Sequence, residues 1–151
     1  MCTSFMGELM TATHNFTTGT GNTFKAALYL TSATVNASTT AYSSTDEVTG
    51  TNYTAGGNAL TNTGVTATNI NANTGTGFCD FSDLVFANVT VTARGAMIYN
   101  TTPSANSNAN TTLTNAAVCV LDFGSDKTST DGDFTIIFPT NDASNAIIRI
   151  A

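Results

Sequence analysis

Ala116-Ala117-Val118-Cys119-Val120-Leu121-Asp122-Phe123, followed after a polar stretch by Asp133-Phe134-Thr135-Ile136-Ile137-Phe138-Pro139, is the part of the sequence that decides the fold. Both runs are dense in β-branched and aromatic residues, which fit a pleated, half-buried surface. The stretch between them, 124–132, is rich in Asp, Gly and Thr. The two runs therefore read as neighbouring antiparallel strands, with Asp131-Gly132 as the hairpin turn, where both residue types accept positive φ. Cys119 sits among apolar neighbours and reads as a small core residue. Pro139 cannot donate a ladder hydrogen bond, so it ends the second run or marks an edge.

The same grammar extends upstream. Residues 23–30 form a strand with Phe24, Ala26 and Leu28 on one face and Lys25, Ala27 and Tyr29 on the other. Residues 31–57 are polar and contain Tyr42, Asp46-Glu47-Val48 and, after Tyr53, the paired Gly56-Gly57 of a tight turn or bulge. A weakly apolar strand over 58–70, anchored by Leu60, Val65 and Ile70, suits an edge. Residues 71–77 are a loop and 78–83 a short strand or turn. Residues 85–92 alternate, with Val85, Ala87, Val89 and Val91 set against Phe86, Asn88, Thr90 and Thr92. After a break at Arg94-Gly95, 96–100 is the next strand. Residues 101–115 are a long loop with Pro103 near its start, and 146–150 is the final strand. This pattern predicts an all-β protein, an antiparallel sandwich or jelly-roll-like barrel of about seven to eight strands, with no solenoid repeat.

Residues 1–22 stand apart from a single β-sandwich domain over 23–151. Phe5, Met6, Leu9 and Met10 have the spacing of one or two amphipathic helical turns, and a Thr- and Gly-rich stretch follows. This predicts an N-terminal arm or short helix on a flexible connection. Met1, Met6 and Met10 give it an adaptable apolar face, suited to docking on a partner or folding back on the body.

At 151 residues the chain fits one domain with one core. Only 9% of residues are charged although 41% are hydrophobic; Thr and Asn, about a third of the chain, fill the gap. Thr tolerates exposed strand positions and Asn suits turns, so the composition again favours β structure. An uncharged surface of this kind is also cheap to bury against neighbours, because long charged side chains lose rotamer entropy and hydration at an interface.

A net charge of −6, with Lys25, Arg94, Lys127 and Arg149 dispersed, excludes a phosphate-binding surface, so nucleic acid is not an expected partner. Cys2, Cys79 and Cys119 are odd in number and widely spaced, so they suggest neither a disulfide framework nor a zinc site. The first ten residues lack the basic and long apolar segments of a signal peptide, and no run is long enough for a transmembrane helix. The expectation is synthesis in a cytoplasm and no membrane partner.

The residues that could carry chemistry are few. His14 is the single histidine, and no nucleophile or orienting carboxylate accompanies it in sequence. Asp122, Asp126, Asp131 and Asp133 could offer oxygen ligands to calcium, but their spacing departs from the known calcium loop and Lys127 lies among them. Asp80 and Asp83 have only proximity to suggest an acid–base pair for glycoside hydrolysis, and no Trp is present to stack a sugar. Sequons such as Asn52-Tyr53-Thr54 are expected by chance in a chain this rich in Asn and Thr. Arg94 needs either a carboxylate, from Asp80, Asp83 or Asp122, or a subunit contact. No enzymatic activity and no cofactor are expected.

Four phrases, 24–29 (Phe-Lys-Ala-Ala-Leu-Tyr), 50–57 (Gly-Thr-Asn-Tyr-Thr-Ala-Gly-Gly), 93–100 (Ala-Arg-Gly-Ala-Met-Ile-Tyr-Asn) and 120–127 (Val-Leu-Asp-Phe-Gly-Ser-Asp-Lys), resemble a family of small β-rich virion proteins of tailed bacteriophages. The resemblance covers about residues 23–151 and implies a structural role in the particle. Combined with the low charge, it leads to an expected capsid decoration (cement) protein on the outer capsid surface. Its partners would be the major capsid protein and copies of itself, in a trimer. Phe5, Met6, Leu9, Met10, Tyr42, Tyr53 and Arg94 are the candidate interface residues, and loops 31–57 and 101–115 would reach neighbouring subunits. The alternatives are a tail or neck component, such as an adaptor or fibre-attachment protein, and a carbohydrate-binding module using Tyr42 and Tyr53.

Overall fold

The apolar run at 116–123 and the first four residues of the run at 133–139 belong to one strand. A computed structural model describes residues 1–104 and 113–151. Its elements in chain order are α1 (Thr3–Met10), β1 (Phe24–Tyr29), β2 (Asn58–Ala59), β3 (Asn62–Thr68), β4 (Thr76–Phe81), β5 (Leu84–Asn100), β6 (Ala116–Ile136) and β7 (Ile148–Ile150). They form two antiparallel sheets, one ordered β2-β1-β5-β6 and one ordered β3-β4-β7, so the described residues are all-β apart from one short helix. Most of loop 101–115 lies outside the described residues. No helix among the described residues is long and apolar enough to cross a membrane.

The expected hairpin at 124–132 is therefore absent, because β6 runs straight through it beside β5, from Asn100↔Ala116 to Leu84↔Ile136. The Arg94-Gly95 break is absent for the same reason. What reads in sequence as turn chemistry is bulge chemistry. The register slips between Phe86 and Val89, Val89 and Val91, Ala93 and Gly95, and Ile98 and Tyr99. Asn88 (φ 52°), Asp131 (φ 49°) and Gly124 (φ 75°) supply left-handed backbone at the first three of these slips. Opposite Arg94 alone, β6 inserts 123–126 as an outward kink. A long ribbon can thus carry Asp-Gly and Asp-Phe-Gly without turning back.

The Asn88 bulge also changes which side chains face the core. Phe86 is buried, whereas Val85 and Ala87 are exposed; beyond the extra residue Val89, Val91 and Ala93 are buried while Thr90 and Thr92 are exposed. Uniform alternation over 85–92, with Val85 and Ala87 sharing the face of Val89 and Val91, is thereby corrected. One inserted residue inverts a period-2 pattern.

Residues 58–70 likewise divide between two strands. Asn58 pairs with Ala26 in the larger sheet, Leu60 N–H donates to Phe24 O (2.9 Å), and the chain then crosses to the smaller sheet, where β3 is an edge strand beside β4. The crossing starts at Gly56-Gly57, both with positive φ. A Cβ on Gly57 would collide with the Ala26 carbonyl, so only glycine fits between this turn and β1.

One core joins both sheets and the N-terminal segment. Phe16 stacks on Phe24 with ring centroids 4.5 Å apart, Phe24 meets Phe81 of the smaller sheet at 5.6 Å, and Phe81 meets Phe138 at 5.8 Å. Helix α1 has little intrinsic support: Cys2 makes no side-chain cap, Gly7 lies inside, and its first turn carries no acidic residue. Tertiary contacts hold it. Cys2 N–H donates to Val118 O (2.9 Å), Thr3 N–H donates to Ala37 O (2.8 Å), and Cys2 and Phe5 are fully buried. Of the expected arm or short helix, the structure has the short helix, and Cys2, Phe5 and Phe16 fold it back into the same core as the rest of the chain.

Candidate functional site

The densest polar constellation is built on Glu47, which sequence reading passes over. Past the end of β1 the loop 44–48 returns alongside it: Leu30 N–H donates to Asp46 O and Val48 N–H donates to Leu28 O, both at 3.0 Å. This places the Glu47 side chain over the sheet, where the residue is only 6% exposed. Its Oε2 accepts the Tyr42 hydroxyl (2.6 Å), and its Oε1 accepts the Tyr53 hydroxyl and the Gly56 N–H, both at 2.7 Å. Tyr53 Oη in turn accepts Leu28 N–H (2.9 Å), and Tyr99 donates to the Gly56 carbonyl (2.7 Å). Tyr42 stacks on Tyr99 with centroids 4.6 Å apart. The Tyr29 hydroxyl donates to Ser43 O.

A buried carboxylate demands such partners, because each unmet lone pair would forfeit its hydration. Burial first, and then the Glu47 carboxylate, raise the Tyr42 and Tyr53 phenols far above the ordinary tyrosine range, and Tyr99 is pushed up to about 12. The phenols therefore remain proton donors at any physiological pH. The arrangement braces the loop against the sheet.

The candidate interface residues fall into two groups. Phe5 is fully buried, and the hydroxyls of Tyr42 and Tyr53 are engaged by Glu47, so these three point their chemistry inward. Met6 and Met10 are 49% and 86% exposed. Leu9 is half-buried and lines an apolar groove of about 430 Å³ between α1 and the smaller sheet, together with Phe16, Val65, Cys79, Ile148 and Ile150. Arg94 Nε donates to Asp122 Oδ1 at 2.9 Å, the carboxylate partner expected among three; it also borders an open cleft of about 270 Å³ with Ala33, Val35 and Leu121.

Asp80, Asp83, Asp122 and Asp133 hold backbone. Asp80, 2% exposed, accepts Phe81 N–H and Ile147 N–H, and burial raises its carboxyl above the usual range. Asp83 accepts Phe138 N–H (2.9 Å) and Asp133 accepts Asn88 N–H (3.0 Å). Asp122 also accepts Gly124 N–H (2.8 Å). Among the described residues no three His, Cys, Asp or Glu side chains converge as a metal site would need.

The outer face of the β5–β6 ribbon offers a different kind of site. Val85, Ala87, Thr90 and Thr92 on one strand lie beside Thr128, Thr130 and Thr135 on the other, all exposed, with Ile137 just beyond at 77% exposure. No protein-family model, curated protein or solved structure matches the chain.

Proposed function

We propose that the chain is a virion structural protein, a capsid decoration (cement) protein that sits as a trimer on the outer surface of a tailed-phage head against the major capsid protein. In this reading it performs no catalysis and works through many modest contacts repeated over a lattice, where avidity lets each be weak. The two sheets are read as the halves of an open sandwich.

The observation that carries the proposal is the outer face of the β5–β6 ribbon. It is built mainly of hydroxyl and small apolar side chains on a paired ribbon, with Asp131 and Asp133 as its exposed carboxylates, so burying most of it against a neighbour sacrifices little side-chain entropy or charge hydration. The resemblance of four phrases, 24–29, 50–57, 93–100 and 120–127, to small phage virion proteins supports the same reading.

Two experiments test it. Heads stripped of the protein should disrupt at lower temperature than complete heads; equal heat resistance would remove the cementing role. The double substitution Ala87→Lys and Thr135→Lys should leave the melting temperature of the isolated protein unchanged and abolish rebinding to stripped heads, whereas normal rebinding would exclude the ribbon face. A tail or neck component would present the same neutral surface, and copy number separates the two: hundreds of copies per particle for the shell, about a dozen or fewer for the tail.

A further inference from the structure

His14 takes no part in the proposed contacts, yet both of its ring nitrogens and its ring faces are engaged. The side chain is fully buried, enclosed by the rings of Phe5 (centroids 4.8 Å apart), Phe16 and Phe24. Each ring nitrogen has one polar partner: Nε2 lies 2.7 Å from Glu8 Oε2 on α1, and Nδ1 lies 3.0 Å from Asn100 Nδ2 on β5.

The Asn100 amide is oriented by its other bonds. Its Oδ1 accepts Thr102 N–H (3.0 Å) and its Nδ2 also donates to Asn22 Oδ1 (3.0 Å). The amide nitrogen therefore faces His14, and Nδ1 must accept. That fixes the neutral imidazole with its proton on Nε2, donated to Glu8. Adding a second proton at Nδ1 would set donor against donor inside the core, and turning the amide to relieve it would forfeit the Thr102 and Asn22 bonds.

The charged and titratable surroundings are sparse. On α1 the facing group is Glu8, and across the groove on β4 it is Cys79, a thiol that burial pushes up to about 12 and thus keeps neutral. The elements β1 and β5 present only Phe24 and Asn100.

We infer that neutral His14 is a proton-sensitive pin: it fastens α1 and residues 13–22 to the end of β5, and its protonation releases them and widens the apolar groove against β3, β4 and β7. Glu8 alone opposes this, by favouring the imidazolium. Burial outweighs that attraction and holds the imidazole below the ordinary histidine value of 6.5. The sign follows: the unfolded chain takes up its proton near 6.5 and the folded one at lower pH, so the pin's contribution is complete above 6.5 and is lost as pH falls toward the folded value.

Because His14 is the sole histidine, its imidazole C2–H resonance reports on the pin without assignment ambiguity. The expected result is a midpoint below 6.5, with amide protection over residues 2–16, corrected for intrinsic exchange, falling about tenfold per pH unit through the transition. Protection in β1 and β6 should stay level. His14→Gln, which can accept from Asn100 and donate to Glu8 but cannot gain a proton, should abolish the pH dependence. A midpoint at or above 6.5, or protection of residues 2–16 that does not change between pH 7.5 and 5, would overturn the inference. So would a folded His14→Gln protein that keeps the wild-type pH response. If that variant does not fold, the wild-type titration decides alone.

Discussion

The β5–β6 ribbon has two halves in different surroundings. From Gly95 to Asn100, and in Ala116 to Cys119 opposite, every residue is buried; from Leu84 to Ala93 only the core-facing residues are. Backbone pairing is shared along both halves, so the difference lies in what covers the second face. At the buried end, Cys2, α1 and the loop braced by Glu47 lie over the sheet, whereas at the other end the second face meets solvent. A strand buried on both faces reads as a continuous apolar run, and one buried on a single face reads as alternation. The covered half serves stability, and the uncovered half is available for contacts.

Substitutions should separate the halves. Ile98→Ala, at a fully buried position, should cost about 2–5 kcal/mol in chemical denaturation, while Thr92→Ala on the open face should stay within about 0.5 kcal/mol. Comparable losses at the two positions would dissolve the contrast. Glu47→Ala, which strands two phenols and the Gly56 N–H, should lower stability by about 2–3 kcal/mol and expose loop 31–57 to proteolysis while sparing the open half. Asn88→Ala should cost about 1 kcal/mol because alanine resists a φ of 52°, and Asn88→Gly should remain near the parent; the two melting curves measure how strongly the bulge is required. Smallest of all, Arg94→Ala should leave the melting temperature unchanged at physiological salt, since both partners of its ion pair are solvent-exposed. Asp122 is held below the usual carboxylate range by Arg94 and Gly124 N–H, but it is exposed, so the stability lost as pH falls through its folded value should be as slight as the effect of Arg94→Ala.

The β class, the edge position of β3, the Gly56-Gly57 turn and the core placement of Cys119 are legible in the sequence because each is a local signal of period, propensity or backbone conformation. The length of β5 and β6 is not, because Asp131-Gly132 and Asp122-Phe123-Gly124 look the same locally whether they close a hairpin or form a bulge. Only the partner strand decides between these, and Leu84 and Ile136, which close the ladder, are 52 positions apart in sequence. The Glu47 brace escapes for a related reason. Its ligands come from Tyr42, Tyr53 and Gly56, whose spacing follows no helical or strand period, so nothing in the sequence marks one glutamate as buried. The Arg94 pair is more legible, since a cation beside buried strands has few choices and Asp122 lies almost opposite in the ladder.

One consequence follows from the slips along β6. This strand forms the rim of its sheet, and its early part is closed off by Thr40 and Cys2, leaving the remainder open to templating by a like chain. The kink over 123–126, the left-handed Asp131 and the nearby Lys127 interrupt that rim, so a flat, in-register addition has nowhere to propagate. Even at high concentration, one copy of the chain therefore offers another a poor edge to build on.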